Sequence, residues 1–301
     1  MDKDLIRPMV TTGLINLTVP QVTVAMPVFN AGRYLRPALG SIIKQSFTDW
    51  ELLLIDDGST DGSVDAVSDL LADPRIRLLR DGANKGLAAR LNEAIDAARG
   101  EFIARMDQDD ISYPQRFAQQ LAALQSDPAL DLVACRCLRI SHDDAPVGVI
   151  PFAQSHAELC AKRWRGIHLA HPSWLGRTAW FRKYRYAQPA PYFCEDQELL
   201  LRAADTSRYA AVPEVLFAYR VRDTLAWRKT LRTRRAMFAF QVRHFFGRGE
   251  FVNGALAAGA FAVNCVRDAF TVLAGSAPHA NGTDAETATR FASVREAVSN
   301  D

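Results

Sequence analysis

Long apolar runs, cysteines in a framework number and a surplus of either charge are all scarce in this 301-residue chain. No stretch offers about 20 uninterrupted apolar residues, so a membrane-spanning helix is not expected. Cys135, Cys137, Cys160, Cys194 and Cys265 are odd in number and dispersed, which argues against a disulfide framework and for a reducing compartment. Cys135 and Cys137 can share one face of a strand, but no second pair stands at zinc spacing, so they read as reduced strand thiols. Thirty-six Lys+Arg against 34 Asp+Glu leave a net charge of +2, which gives no reason to expect a nucleic-acid partner or a strongly acidic one. The opening stretch MDKDLIRPMVTTGLINLTVPQ has no long apolar segment of the signal-peptide kind, so the expected location is the cytoplasm. Two nucleotide motifs are also missing after the first apolar run: the G-x-G-x-x-G of a dinucleotide-dependent oxidoreductase and the Gly-rich basic loop with which a nucleotidyltransferase holds a triphosphate.

What is present is an alternation. VTVAMPVFN (22–30) is a β-branched run that ends in Pro and Asn, as a buried strand running into a loop would. Leu35, Ala38, Leu39, Ile42 and Ile43 recur at helical spacing, with Pro37 tolerable in the first turn only. WELLLID (50–56) predicts a second strand, Val64, Val67, Leu70 and Leu71 a helix, and RIRLL (75–79) a third strand. Leu87, Leu91, Ala94, Ile95 and Ala98 predict another helix, EFIARM (101–106) a fourth strand, and Phe117, Leu121 and Leu124 the helix after it. Strands separated by single helices imply an α/β fold with a mainly parallel sheet flanked by helices. Such sheets bind ligands beyond the carboxyl ends of their strands. FN, DDGSTD, DGANKG and DQDD follow the four strands in turn and should converge on that edge.

The last of these segments gathers Asp107, Asp109 and Asp110 within four positions. Carboxylates so spaced can approach one hard cation, Mg²⁺ or Mn²⁺, which favours oxygen ligands and would relieve their repulsion. Read by itself, the cluster is equally an acidic turn at the positive end of the following helix.

The ordered set PVFN, DDGSTD, NKGLAARLNEAI, RMDQDD and EDQELLLR resembles the family 2 glycosyltransferases, nucleotide-sugar-dependent enzymes with the GT-A fold, across roughly residues 22 to 222. The resemblance implies a role for each matching position. Pro27, Phe29 and Asn30 would lie against the nucleoside, Asp57 would accept a hydrogen bond from the base, and Lys85 of NKG would join the donor site. Asp107 and Asp109 would touch the ribose and the metal-bridged diphosphate, with Asp110 as an alternative ligand. Asp196, with Glu195 beside it, would be the base of an inverting transfer, although an acidic helix start would also satisfy free backbone N–H groups. His171 of HPSWLGR falls on the acceptor or diphosphate side. Arg222 of YRVRDT stands where the family often has His, which would replace a metal ligand by a phosphate-neutralising charge.

The implied reaction moves a sugar from a nucleoside-diphosphate sugar, a UDP-sugar being favoured, to a saccharide or lipid-linked hydroxyl acceptor in surface-polysaccharide or glycoconjugate synthesis. A catalytically silent nucleotide-sugar-binding scaffold is the alternative. The chain divides into an N-terminal extension (1–20), a glycosyltransferase domain (21–225), a C-terminal helical region (226–275) and a tail without order (276–301). Arg and Lys interleaved with aromatics from Trp227, followed by an apolar segment to 274, fit peripheral contact with the cytoplasmic membrane face, while Arg267 and Asp268 argue against crossing.

Overall fold

The computed structural model describes residues 19–221, 227–273 and 283–299. In chain order these form β1 (Val22–Val28), α1 (Leu35–Ile43), β2 (Trp50–Asp56), β3 (Ile76–Arg80), α2 (Leu87–Ala97), β4 (Phe102–Arg105), β5 (Ile111–Ser112), α3 (Arg116–Ser126), β6 (Leu132–Ile140) and β7 (Pro146–Val149). There follow α4 (His156–Cys160), β8 (Leu175–Arg177), α5 (Thr178–Tyr184), α6 (Glu195–Ala203), β9 (Tyr209–Arg220), α7 (Trp227–Gly247), α8 (Phe251–Leu273) and α9 (Ala285–Ser299).

One sheet runs β3-β2-β1-β4-β8-β6-β9-β5, with β7 beside β6. β1 to β4 are mutually parallel, as single-helix crossovers require, whereas β8 enters antiparallel to both β4 and β6. Both faces of the sheet are covered, so β1 and β2 are buried along their whole lengths. The period of two sorts their side chains. Val24 and Met26 face the helices α1 and α3 with Leu39, Ile42, Phe117 and Leu121, while Ala25, Leu53 and Ile55 face Leu91, Ala94 and Ile95 of α2 and Leu199 of α6.

The pairing of β1 with β4 ends at Ala25 and Arg105, while β1 continues beside β2 to Val28. That divergence opens the crevice into which Phe29, Asp57 and the 107–110 segment project. It also explains Pro27, which lies beyond the ladder with β4 and needs no partner there. Pro37 lies within the first three residues of α1, where its missing donor costs no helical bond. Pro213 is absorbed where the β6–β9 register slips twice, around Arg136.

Two expectations require correction. The helix expected around Val64–Leu71 is two short 3-10 turns, Asp65–Val67 and Leu70–Ala72, because Ser and Asp compete for backbone bonds there and Pro74 closes the segment. The tail expected to lack order contains α9, whose Phe291, Val294 and Val298 recur at helical spacing and are buried in the same apolar cluster as α1. Phe251–Val272 of α8 is long and apolar enough to cross a membrane by length and composition alone, although Asn253, Asn264, Arg267 and Asp268 interrupt its apolar residues.

Candidate functional site

The site lies at the carboxyl ends of β1, β2 and β4 and is completed by the start of α6. β1 leads into Phe29, whose ring is exposed, and Asn30, whose φ of 50° is one that Asn tolerates. This turn is held from two directions. Asn30 accepts a bond from the Thr60 N–H at 2.9 Å through its side chain, and its own N–H donates to Ser59 Oγ at 3.1 Å. The Gln108 amide grips the Phe29 backbone twice, accepting from its N–H at 2.6 Å and donating to its carbonyl at 3.1 Å. Gln108, the middle residue of D-Q-D, therefore fixes the loop that carries Phe29.

Asp57 is buried beneath the 84–86 turn. Its Oδ1 accepts from the Lys85 N–H at 2.7 Å and Arg90 Nε at 2.8 Å, and its Oδ2 accepts from the Gly86 N–H at 3.0 Å. One lone pair of Oδ2 remains for a further donor. Gly58 beside it has φ +79°, and a Cβ there would meet the Ala83 carbonyl carbon at 3.2 Å, so only glycine lets the two loops approach. Lys85 contributes its backbone here. Its ammonium pairs with Asp81 at 2.6 Å and Glu93 at 2.8 Å, away from the Asp107 cluster. Arg90 is the cation that neutralises Asp57, and it also pairs with Asp81 and Glu93.

The carboxylates of Asp107, Asp109 and Asp110 place one oxygen each within 4.8 Å of one another. Asp110 is fully buried; its Oδ1 accepts from the Arg220 N–H at 2.7 Å, and its Oδ2 has no hydrogen-bond partner. Arg220 Nε donates to the Asp109 carbonyl at 2.7 Å, tying the cluster to β9. Burial and the charge of Asp107 push the Asp109 carboxyl up to about 6, and Asp110 is raised by the same causes. Three hard oxygen donors, an orphaned buried oxygen and carboxyls raised by mutual repulsion are the donor set a divalent cation such as Mg²⁺ or Mn²⁺ fits.

Behind the cluster lies Arg105, 3% exposed, with its Nη1 2.5 Å from Asp107 Oδ2 and its Nε without a hydrogen-bond partner. Its charge also reaches Glu195 and Asp196 at the start of α6 and His171. Glu195 is pushed up to about 7 by burial and by Asp196, and Asp196 is raised by burial. The Gln197 amide holds Asp196 Oδ2 at 3.2 Å. His171 is buried against Trp174, its Nε2 is 2.7 Å from the Tyr186 hydroxyl, and its Nδ1 is 4.0 Å from Glu195. Burial and Arg105 hold it well below its usual range, so it is neutral and its approach to Glu195 is no ion pair. Arg222 lies outside the described residues.

The structure thus sets Phe29, Asn30 and Asp57 at the adjoining ends of β1 and β2, links Phe29 to the Asp107–Asp110 segment through Gln108, gathers Asp107, Glu195, Asp196 and His171 around Arg105, and turns the Lys85 side chain elsewhere. Sequence reasoning missed Arg90, Arg105 and Gln108. Arg90 and Arg105 had a signal: each is a charge inside an otherwise apolar pattern, LAARL and FIARM. Gln108 had none.

Comparison with known proteins agrees with this architecture. The family model described as Glycosyl transferase family 2 matches residues 23–185, more than half of the chain, and stops short of Glu195 and Asp196. EpsE of Bacillus subtilis (strain 168), named as a glycosyltransferase, is 43% identical over 108 residues, 35% of this chain and 39% of its own. WfgD of Escherichia coli, named a UDP-Glc:alpha-D-GlcNAc-diphosphoundecaprenol beta-1,3-glucosyltransferase, is 36% identical over 103 residues, 34% of this chain and 40% of its own. The matches therefore span less than half the length of these curated relatives. Among solved structures, the mannosyltransferase PcManGT of Pyrobaculum calidifontis, in complex with GDP-Man and Mn²⁺, superposes with a TM-score of 0.59 at 18% identity over 94% of this chain and 87% of its own. TarS 1-349 of S. aureus with UDP-GlcNAc gives a TM-score of 0.59 at 17% identity over 91% and 79%. At such identities these two likenesses bear on the fold alone, which is GT-A. With the family match covering most of the crevice-forming strands, the chain belongs to glycosyl transferase family 2.

Proposed function

We propose that this protein is an inverting, metal-dependent glycosyltransferase that moves a sugar from a nucleoside-diphosphate sugar to a hydroxyl acceptor. The observation that carries the reading is the arrangement around Arg105: an oxygen-only cation site at Asp107, Asp109 and Asp110 on one side, and a pair of raised carboxyls, Glu195 and Asp196, on the other. A divalent ion there supplies charge stabilisation for a departing diphosphate. The remaining work falls to the chain itself. Phe29, held by Gln108, offers an exposed ring for a base, and Asp57 Oδ2 offers one acceptor site for its N–H. Asp196 removes the acceptor hydroxyl's proton, and its raised affinity for protons brings it nearer the strength such a base needs at neutral pH. His171, neutral and fixed by Tyr186, lies 4.0 Å from Glu195 and carries no charge for a phosphate.

A UDP-sugar is the favoured donor and a saccharide or lipid-linked acceptor the favoured partner, in the synthesis of a surface polysaccharide. The names of WfgD and the TarS complex support that choice, while PcManGT with GDP-Man keeps a guanosine donor in view. A cytoplasmic site with peripheral membrane contact through residues 227–274 suits such an acceptor. Incubation with a panel of UDP- and GDP-sugars, Mn²⁺ and candidate acceptors tests the reading. Release of nucleoside diphosphate with inversion at the anomeric carbon supports it, and release of pyrophosphate, or no turnover with any donor, contradicts it.

A further inference from the structure

The α7–α8 hairpin has its polarity inside out. Val252, Leu256, Gly259, Val263, Val266 and Phe270 succeed one another at helical spacing and form a single stripe along α8, about 27 Å long at 1.5 Å per residue. Its side chains are exposed, Val252, Val263, Val266 and Phe270 by 63–74%. Two polar groups of this helix, Asp268 and Asn253, are paired within the protein. Asp268 is buried and pairs with Arg234 of α7, whose Nη2 lies at 3.1 Å, and Asn253 donates to Glu250 at 2.8 Å. A helix on the surface of a water-soluble protein buries its apolar face and exposes its polar one.

Its neighbour supplies charge of one sign. α7 carries Arg228, Lys229, Arg232, Arg234, Arg235 and Arg243 and no acidic residue, and Arg228, Arg232, Arg235 and Arg243 recur at helical spacing as an exposed row. Exposed Arg267 flanks the apolar stripe itself, one position from Asp268, which meets α7. α7 packs on the face of α8 opposite the stripe, so the hairpin sets a cationic helix behind an apolar outer face, an order complementary to a bilayer interface with anionic headgroups. Crossing is a different matter. The inner face of α8 stays paired with α7 along its length, through Phe246 with Phe251, Phe238 with Phe261 at 4.7 Å, and Arg234 with Asp268. Pairing of this kind with a helix that bears six cations weighs against crossing.

We propose that α8 beds its Val252–Phe270 stripe into the surface of an anionic membrane while the arginines of α7 and Arg267 contact the headgroups. This deepens the peripheral contact proposed above and names the surface that makes it. The test is co-sedimentation of the full chain with vesicles of phosphatidylcholine alone and of phosphatidylcholine mixed with phosphatidylglycerol. It compares wild type, the triple variant Val252→Ser/Val263→Ser/Phe270→Ser, and the charge variant Arg228→Gln/Arg235→Gln. None of the five positions is a candidate site residue, and circular dichroism with UDP or GDP titration checks that fold and donor binding persist.

Expected results are binding to the mixed vesicles that weakens with salt, and at least a tenfold loss in the triple variant. The charge variant should lose its preference for anionic vesicles. Wild type that stays in the supernatant with every vesicle, or a triple variant that binds as well as wild type, overturns the proposal. So does a wild-type dimer in light scattering that the triple variant converts to monomer, since the stripe would then belong to a second copy. Failure of donor binding in wild type, by contrast, would count against the glycosyltransferase reading and leave the vesicle result standing.

Discussion

The Arg105 guanidinium lies 2.5 Å from the Asp107 carboxylate, sealed behind the D-Q-D-D segment and within electrostatic reach of Asp110, Glu195, Asp196 and His171. A single buried cation thus faces both the candidate metal ligands and the candidate base. The chain itself supplies a counter-charge that both groups share.

Replacing that cation should be severe. Arg105→Met leaves Asp107 without its paired cation, while Arg220 still faces Asp109, and breaking a buried pair costs about 3–5 kcal/mol. Urea unfolding should show that loss, and donor turnover should fall at least a hundredfold, on the order expected when such a charge leaves an active site. Arg105→Lys keeps the charge but loses the planar geometry, so it should recover part of both. Equal stability in the Met variant would show that Asp107 draws nothing from Arg105.

Asp109 makes a linked prediction about pH and metal. Its folded-state carboxyl, pushed up to about 6, holds its proton more tightly than the unfolded chain does. In metal-free protein this contribution is fully present below the ordinary carboxylate range and is lost as pH rises through about 6. Asp109→Asn should therefore stabilise the metal-free protein at pH 8 by roughly 1–3 kcal/mol. Mn²⁺ should raise the melting temperature of wild type but not of the variant, and should bind wild type more weakly below about pH 6 as protons compete. Calorimetry with and without Mn²⁺ checks both statements.

The two α6 carboxyls should separate by kinetics. Asp196→Asn should lower kcat by about 10²–10⁴ with donor binding retained. Glu195→Gln should keep substantial turnover. It also removes a negative charge beside Asp196, so the acid limb of the kcat/KM profile should move to lower pH. In wild type that limb reflects ionisation of the pair, with Glu195 pushed up to about 7, and activity should rise with pH through this range. A dead Glu195→Gln beside an active Asp196→Asn would move the base to Glu195.

Gln108→Ala removes both amide bonds that hold the Phe29 backbone. The carboxylates on either side remain, so the expected effect is a several-fold rise in donor KM with kcat changed by less than about threefold. An unchanged KM would show that the Phe29 loop does not need this clamp.

How much of this was legible in the sequence depends on range. Strands β1, β2 and β4 are continuous apolar runs bounded by turn residues, so the sheet edge and the acidic segment beyond it could be read directly. The pairing of Asp57 with Arg90 and of Asp107 with Arg105 could not be read. Burial decides whether an Arg in an apolar pattern snorkels to solvent or turns inward, and burial is set by distant chain. Lys85 differs: the resemblance of NKG suggested the site, whereas in the structure Asp81 and Glu93 hold its ammonium. α9 was misread because small polar residues dominate it, and three apolar side chains proved enough to dock it beside α1.

The most direct test of the account is calorimetric titration of UDP and GDP into the protein with and without Mn²⁺, repeated on Asp109→Asn. The account predicts binding of one of these diphosphates that depends on Mn²⁺ and disappears in the variant. Binding of neither under any condition, or binding indifferent to both metal and Asp109, would contradict it.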